Sequence, residues 1–254
     1  MKSLSKSLIL SALLMATLFA GCKKDDDDEI SPDILNNGVT TVWSDDSSMI
    51  ISVVDMGRNI CWATCNIGSN SPEQPGQYFA WAETNHQKKE YTRNSYKWFN
   101  NGGIADITKY CTLEGYAYHK QVDNVTVIQP SDDPATVFYG AKWQTPSSTQ
   151  FRELIKRCTR TWGTVNGAWG CLLTSNDNGN SVFFPVSGVF DGNKITHSSI
   201  GFYWTRDLNA SSPNKAYSLW VRCDGDLSDI EVTDTDRERG LQVRAIIKTK
   251  DIKK

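Results

Sequence analysis

The residues best suited to contacting a ligand lie near the C-terminus, beside two polar stretches, Asp207–Asn214 and Asp224–Asp236, that are predicted to be solvated loops. The run 217–222 reads Tyr-Ser-Leu-Trp-Val-Arg, and strand alternation places Trp220 and Arg222 on the face opposite Leu219 and Val221. Because the latter pair is apolar, Trp220 is expected to point outward beside Arg222. An exposed Trp next to a guanidinium and carboxylates suits stacking on a sugar ring or anchoring a protein partner. The predicted ligand-binding residues are Arg206, Asp207, Asn209, Asn214, Trp220, Arg222, Asp224 and Asp226. The alternative is that a long loop covers Trp220 and creates a second small core.

Metal chemistry has little support in the sequence. The segment 224–229 (Asp-Gly-Asp-Leu-Ser-Asp) clusters oxygen donors suited to a hard cation, but it lacks the EF-hand order and is expected to be a solvated loop. The chain has three scattered histidines and no Cys-x-x-Cys spacing, which argues against a zinc site. No metal and no cofactor is therefore predicted.

Catalytic chemistry is not indicated either. Ser187 lacks the Gly-x-Ser-x-Gly turn that exposes a nucleophilic serine. Glu83 follows a run of aromatic residues and is a candidate acid, although a buried carboxylate accepting backbone hydrogen bonds is the favoured interpretation. The chain is predicted not to be an enzyme.

The N-terminus carries an export signal. Residues 1–21 combine two lysines, an apolar run of 13 residues from Leu8 to Ala20 and a small-residue end, which is typical of a secretory signal and too short to span a bilayer. The end, Leu-Phe-Ala-Gly-Cys, resembles a bacterial lipobox. The resemblance implies a thioether-linked diacylglycerol and an N-acyl chain on Cys22, anchoring the protein to the membrane.

An acidic run, Asp25–Glu29, follows the candidate lipidation site. It resembles the export signal of Bacteroidetes-type surface lipoproteins, which implies an outer-membrane protein exposed at the cell surface; the alternatives are a simple solvated spacer and periplasmic retention. Residues 22–52 are rich in breakers and are predicted to form a tether, with one short strand at Val39–Trp43.

Six cysteines remain once Cys22 is assigned to the lipid. In an exported chain an even number permits three disulfides with 15 connectivities, or some of these residues are buried small hydrophobes. Cys61 and Cys65 lie in one predicted strand, about 13 Å apart at strand rise, so they should not bond each other.

Composition narrows the class of protein. The 254 residues carry a formal net charge of −2, which argues against a nucleic-acid partner because such proteins usually have a strongly basic domain or face. Hydrophobic residues make up 39% of the chain and aromatic residues 11%, enough for a sizeable core and favouring β structure.

The sequence predicts some of the helices and hairpins that position these residues. Ser147 and Gln150 have capping-box spacing at the start of a helix whose apolar face runs from Phe151 to Cys158. A shorter helix is predicted from Pro134 to Tyr139, stopped by Gly140. Two Asn-Gly pairs, at 166–167 and 178–179, predict type I′ hairpins between successive strands.

Several ordered motifs resemble the Fibrobacter succinogenes major paralogous domain. They are Val54-Asp55-Met56-Gly57, Trp62-Ala63-Thr64-Cys65-Asn66-Ile67-Gly68, Gly76-Gln77-Tyr78-Phe79-Ala80-Trp81-Ala82-Glu83-Thr84, Thr108-Lys109-Tyr110-Cys111, Trp143-Gln144-Thr145-Pro146-Ser147, Gly179-Asn180-Ser181-Val182-Phe183-Phe184-Pro185, Tyr203-Trp204-Thr205 and Arg239-Gly240-Leu241-Gln242-Val243-Arg244. The resemblance covers residues 53–247 and leaves 248–254 as a polar tail. It implies an α+β, C-type-lectin-like fold: a twisted antiparallel sheet and hairpins, one or two flanking helices and long surface loops.

The resemblance also bears on function. The family's biochemical role is generally unassigned, but C-type-lectin-like folds commonly bind ligands through their C-terminal region. The fold is shared with sulfatase-modifying factors, whose redox pair of cysteines near the C-terminus is missing here because only Cys223 lies in that part of the chain. The framework tryptophans of the motifs (Trp62, Trp81, Trp143 and Trp204) are predicted to be core residues.

Three functions follow as hypotheses. The leading one is a non-catalytic, lipid-anchored surface protein that binds a glycan or protein ligand through its C-terminal loops. The second is a structural or adhesive envelope component, and the third is an enzyme related to sulfatase-modifying factors.

Overall fold

The computed structural model describes residues 29–223 and 228–252. The described strands are β1 (Val39–Trp43), β2 (Ile50–Asp55), β3 (Ile60–Ala63), β4 (Trp143–Gln144), β5 (Cys158–Val165), β6 (Ala168–Ser175), β7 (Ser181–Pro185), β8 (Val189–Asp191), β9 (Lys194–Thr196), β10 (Ile200–Leu208), β11 (Lys215–Arg222), β12 (Asp229–Asp236) and β13 (Ile246–Lys248). The described α-helices are α1 (Pro32–Asn36), α2 (Pro134–Tyr139), α3 (Ser148–Arg157) and α4 (Thr249–Ile252). Single 3-10 turns cover Asn100–Gly102, Tyr118–Lys120 and Pro130–Asp132.

A five-stranded sheet joins the two ends of the domain. Its order is β1-β2-β3-β13-β4, so the C-terminal strand β13 lies between β3 and β4. The consecutive residues Val53 and Val54 belong to two different apolar clusters, which shows that both faces of this sheet are buried. The four framework tryptophans are buried, as predicted.

Two three-stranded sheets, β5-β6-β7 and β10-β11-β12, and the β8-β9 hairpin complete the fold. All named strand pairs are antiparallel. The described chain is therefore α+β and sheet-rich, in agreement with the general class predicted from the sequence.

The helix signals in the sequence are confirmed. Ser147 accepts from the backbone N of Gln150, and the Gln150 side chain accepts from the backbone N of Ser147, which is the predicted capping box of α3. Phe151 and Leu154 then pack into the apolar core. Helix α2 spans the predicted residues and begins at the cap of Asp133. A cap of this kind stabilises a helix by about 1 kcal/mol.

Only one of the two Asn-Gly turns has the predicted geometry. Asn166 and Gly167 both have positive φ (50° and 77°), as a type I′ turn requires, and they join β5 to β6. At the second turn Gly179 has a φ of 75°, but Asn178 is not among the residues with positive φ. The type I′ prediction there is wrong, because β6 and β7 are joined by a longer loop in which the N–H of Gly179 donates to the carbonyl of Ser175.

The tether predicted over 22–52 is too long. The backbone N of Ile30 donates to the carbonyl of Thr164 at 2.8 Å, and the Ile30 side chain is buried in a small apolar cluster. Helix α1 follows, and β1 pairs along its whole length with β2. Residues 30–52 are consequently part of the folded domain, which begins before the predicted boundary at 53. The predicted signal peptide, Cys22 and the acidic residues 25–28 lie outside the described residues.

The C-terminal region also departs from expectation. The stretch 229–236, predicted as part of a solvated loop, is strand β12 and pairs with β11 in eight consecutive positions from Lys215↔Asp236 to Arg222↔Asp229. The predicted polar tail contains the end of β13 and helix α4. Among the described residues, no helix has the length and apolar character needed to cross a membrane.

Candidate functional site

Asp207, one of the predicted ligand-binding residues, caps a helix. Its Oδ2 accepts hydrogen bonds from both the backbone N and the Oγ of Ser148, each at 2.7 Å. Ser148 is the first residue of α3, where backbone N–H groups have no partner inside the helix and a negative charge is favourable. The structure therefore gives the Asp207 carboxylate a structural role.

The other polar residues of this loop are also used internally. Arg206 donates through Nη1 to Oε1 of Gln144. The side-chain amide of Asn209 donates to Asp234 at 2.8 Å, and its Oδ1 accepts from the backbone N of Ser211. The carbonyl of Asn214 accepts from the backbone N of Arg237. These contacts engage the Asn209 side chain and one guanidinium nitrogen of Arg206, whereas Nε of Arg206 is buried without a partner among the described residues.

Trp220 does not point freely outward as predicted. Its ring is half-buried and meets the ring of Phe202 edge-on, with 5.1 Å between centroids. Its indole N–H donates to Oγ of Ser218 at 2.9 Å and to Oγ1 of Thr235 at 3.1 Å. The apolar core on this side of β11 explains the difference, because the sheet is covered on both faces. The half-buried ring agrees better with the alternative prediction, in which Trp220 is covered and belongs to a core.

Arg222 is the predicted residue that remains most available. Its guanidinium lies 5.8 Å from the centroid of the Trp220 ring and 3.9 Å from Glu231, and its side chain is 36% exposed. Asp224 and Asp226 lie outside the described residues. The structure thus brings Trp220 and Arg222 together, as predicted.

A depression beside the β1–β2 hairpin is a stronger candidate that the sequence analysis missed. It has a volume of about 480 Å³ and opens between the end of the hairpin, the segment after β3 and helix α2. We call it the Cys65 depression. Its lining residues are Met49, Ile50, Ile51, Ser52, Cys65, Ile67, Gly68, Ser69, Asn70, Gln77, Phe138 and Tyr139. Its size falls in the range of small-molecule sites.

The rim of the depression is apolar and exposed. Ile50 is 58% exposed, and its ladder partner Trp43 is 57% exposed. Directly opposed residues of an antiparallel pair present their side chains on the same face, so these two form one exposed apolar surface. Asp45 fixes the hairpin against α2, since its backbone N donates to the carbonyl of Tyr139 and its carboxylate accepts from Ala141.

One lining residue of the depression, Gln77, has a buried polar atom without a hydrogen-bond partner in the described part of the chain. Within the described residues five buried side-chain polar atoms have no hydrogen bond, and they include Oε1 of Gln77, Nε1 of Trp143 and Nη2 of Arg244. Gln77 lines the depression, and Trp143 packs edge-on against the lining residue Tyr139. Buried polar groups are nearly always paired, and unpaired ones point to a water or a ligand.

Gln77 is held in place by two features of the backbone. Its N–H donates to the carbonyl of Ile67 at 2.8 Å. Gly68 has a φ of +82°, and a Cβ there would lie 2.5 Å from Cγ of Gln77. A side chain at position 68 would collide with Gln77 and would be strained at this positive φ, so the position requires glycine.

Arg244 lies behind the wall of the depression. It is fully buried, its Nε donates to Oδ1 of Asn66 at 2.8 Å, and its Nη1 donates to the carbonyls of Thr64 and Ala63. Among the described residues no carboxylate lies within 4.0 Å of its guanidinium. Burial lowers the pKa of Arg244, while the nearby ionisable groups, among them Cys65, act in the opposite direction.

Cys65 is the half-buried thiol of the described chain, and the other five cysteines are buried. Its sulfur lies 3.6 Å from Oγ1 of Thr64. Burial raises the pKa of Cys158 to about 11 and that of Cys171 to about 12, which makes these thiols poor nucleophiles. Cys65 is therefore the thiol that reagents reach first.

The candidate acid Glu83 is a structural carboxylate. It accepts from the backbone N of Lys97 at 2.6 Å and from Nζ of Lys88 at 2.9 Å, and both side chains of the ion pair are buried. This is the interpretation the sequence analysis favoured. Among the described residues, no group of three or more potential metal ligands comes together.

Comparison of the chain with known proteins adds no relative: no family model, no curated protein and no solved structure matches it. The candidate site is therefore defined by its own geometry.

Proposed function

We propose that this protein is a lipid-anchored, surface-exposed, non-catalytic binding protein whose ligand occupies the Cys65 depression. One observation carries the proposal: an open cavity of about 480 Å³ has an exposed apolar rim and a lining residue, Gln77, with a buried oxygen that is unpaired among the described residues. Apolar walls with a few convergent polar groups are the usual composition of a small-molecule site.

The anchoring part of the proposal rests on the N-terminal sequence. Cys22 lies seven residues before Glu29, where the described chain begins, and an extended segment of that length spans at most about 25 Å. Lipidation at Cys22 would hold the domain close to the membrane, and the acidic run would direct it to the outer surface.

We further propose a C-type-lectin-like fold of the Fibrobacter succinogenes major paralogous domain type. The antiparallel sheets, the few short helices and the burial of the framework tryptophans support this proposal. The sulfatase-modifying alternative has less support, because five of the six cysteines outside the signal region are buried.

A thermal-shift panel tests the binding function. The unlipidated Cys22→Ala chain is screened against oligosaccharides, peptides and small organic acids, and each compound that raises Tm is tested for protection of Cys65 against iodoacetamide. We expect a compound that does both, because a ligand in the depression covers this thiol. Compounds that raise Tm without slowing Cys65 alkylation would place the binding site elsewhere, and a panel without any hit would count against the function.

The surface at Arg222 is the second candidate, favoured by its exposed guanidinium beside the Trp220 ring. It predicts a hit that leaves Cys65 alkylation unchanged and is lost in Arg222→Ala, so the same panel separates the two sites.

A further inference from the structure

We propose that the Cys65 depression selects a small amphipathic anion, such as a carboxylate with an aliphatic or aromatic body, and that Arg244 provides the attraction. The inference rests on the proposed function, because it specifies the chemistry of the ligand for the same depression.

The position of Arg244 is the first step. Its guanidinium is fixed by the carbonyls of Ala63 and Thr64 and by the side chain of Asn66, so it lies directly behind the backbone around Cys65. Cys65 itself lines the depression. Arg244 does not line the depression, so its charge acts on the cavity through the buried backbone at Ala63 and Thr64, where electrostatic interactions are stronger than in bulk water.

The second step is that, among the described residues, no carboxylate lies within 4.0 Å of this charge and Nη2 of Arg244 has no hydrogen-bond partner. The neighbouring hydroxyl of Tyr203 donates to the carbonyl of Pro185. The ring of Phe184 lies 4.8 Å from the guanidinium and gives only a cation–π contact.

Tyr203, Cys65 and Tyr139 are the ionisable groups that raise the pKa of Arg244. Burial raises the pKa of Tyr203, and it raises that of Tyr139 to about 12, so both phenols are neutral at physiological pH. A buried charge without an ionised partner is costly, and an anion in the depression offsets that cost.

Arg237 shows that a buried guanidinium alone is not a site. It is also fully buried, but its three nitrogens donate to the hydroxyl of Tyr96 and to the carbonyls of Tyr110, Pro213 and Lys109. Arg244 differs by its unpaired Nη2 and by its place next to an open cavity.

The lining of the depression determines the rest of the ligand. It contains no charged side chain, and Met49, Ile50 and Phe138 provide apolar surface away from the polar base. The acidic residues of the hairpin turn, Asp45 and Asp46, do not line the depression, and their carboxylates accept hydrogen bonds from Ala141 and from Ser44 and Ser48. An anionic head near the base with an apolar body toward the rim matches this arrangement.

Alkylation of Cys65 tests the selectivity for anions. In both reactions the thiolate sulfur displaces iodide and forms a carbon–sulfur bond, but iodoacetate is an anion and iodoacetamide is a neutral compound of nearly equal size. The ratio of the two rates at Cys65, followed by peptide mapping of the Cys22→Ala chain, is compared with the ratio for N-acetylcysteine amide. We expect the iodoacetate-to-iodoacetamide ratio to be at least about fivefold higher at Cys65.

Two controls keep the test decisive. Arg244→Met, if it folds, should return the ratio to that of the free thiol; if it does not fold, protection of Cys65 by octanoate is compared with protection by octan-1-ol. We expect octanoate to protect at concentrations at least about fivefold lower. Equal ratios, or equal protection by acid and alcohol, would overturn the inference and leave the binding function standing. A Cys65 that resists both reagents would show a closed depression and would overturn the proposed function itself.

Discussion

Asp207 and Ser148 are joined by two hydrogen bonds of 2.7 Å, one to the backbone N and one to the hydroxyl of the serine. Through them the end of β10 caps the first turn of α3, although the two residues are 59 positions apart in the sequence. A residue that resembles a ligand-binding carboxylate in the sequence is thus part of the framework.

Removing this cap should weaken folding. Asp207→Ala leaves the N–H of Ser148 without its partner, so we expect the free energy of unfolding to fall by about 1–2 kcal/mol in urea titrations. Asp191→Ala is the matched control, since Asp191 is a partly exposed carboxylate in a 3.5 Å ion pair with Arg239, and the substitution should lower the free energy of unfolding by less than about 0.5 kcal/mol. Equal effects of the two variants would contradict the capping role.

Trp220 and Arg222 should respond differently to truncation. Trp220→Ala removes the packing on Phe202 and two hydrogen bonds of the indole N–H, and we expect a loss of about 2–4 kcal/mol. Arg222→Ala should change the free energy of unfolding by less than about 0.5 kcal/mol, because its ion pair is exposed. If Trp220→Ala leaves the free energy of unfolding unchanged, the outward-facing position predicted from the sequence would be correct after all.

The parts of the fold that could be predicted are those whose signals are local. The capping box at Ser147 and the turn at Asn166 and Gly167 each depend on residues that are neighbours in the sequence, and both are confirmed. Strand β12 was missed because its many polar residues suggested a loop, although Ile230 and Val232 alternate as in a half-buried strand.

The candidate site could not be found in this way. Its lining comes from the segment 49–52, the segment 65–70, Gln77 and helix α2, which only the folded chain brings together. The missing partner of Arg244 is likewise a property of packing, and no sequence pattern shows it. The folding of residues 30–52 depends on long-range pairing with Thr164 and β2, which polar, breaker-rich composition concealed.

Substitution of the candidate lipidation site tests the anchor. Cys22→Ala should abolish labelling with a radioactive fatty acid and release the protein from the membrane fraction, because the acyl chains supply the attachment. Retention of the variant in membranes would disprove the lipid anchor.

The acidic run requires a separate variant. Replacing Asp25–Asp28 by Ala should preserve lipid labelling but prevent digestion by protease added to intact cells. Glu29 is left unchanged, because its carboxylate accepts from Thr164 and Asn166 within the folded domain. If the variant is still digested by external protease to the same extent, the acidic run is only a spacer and not an export signal.

Asp132 should contribute to the acid sensitivity of the fold. Burial opposes its ionisation, but hydrogen bonds from Lys109 and Tyr110 and the charges of Lys109 and Lys97 outweigh this effect and hold the pKa below the ordinary value of 3.8. A lowered pKa means that the stabilisation is present above the ordinary value and is lost as pH falls through the folded-state value.

Asp132→Asn should therefore lower the free energy of unfolding by about 1–3 kcal/mol at neutral pH and by much less near pH 3. Urea titrations at both pH values measure the difference. A loss that does not change with pH would show that the shape of the side chain, and not its charge, matters here.

The most direct test of the Cys65 depression as the binding site is the affinity of octanoate for two serine variants of the Cys22→Ala chain, measured by calorimetry. Ile50→Ser removes an exposed apolar side chain from the rim, whereas Ile195→Ser removes one of similar exposure (49%) from β9. We expect Ile50→Ser to weaken octanoate binding by about fivefold or more and Ile195→Ser to leave it unchanged. Equal affinities of the two variants would contradict the assignment of the site, and no binding of octanoate by the unsubstituted chain would contradict the amphipathic anion as its ligand.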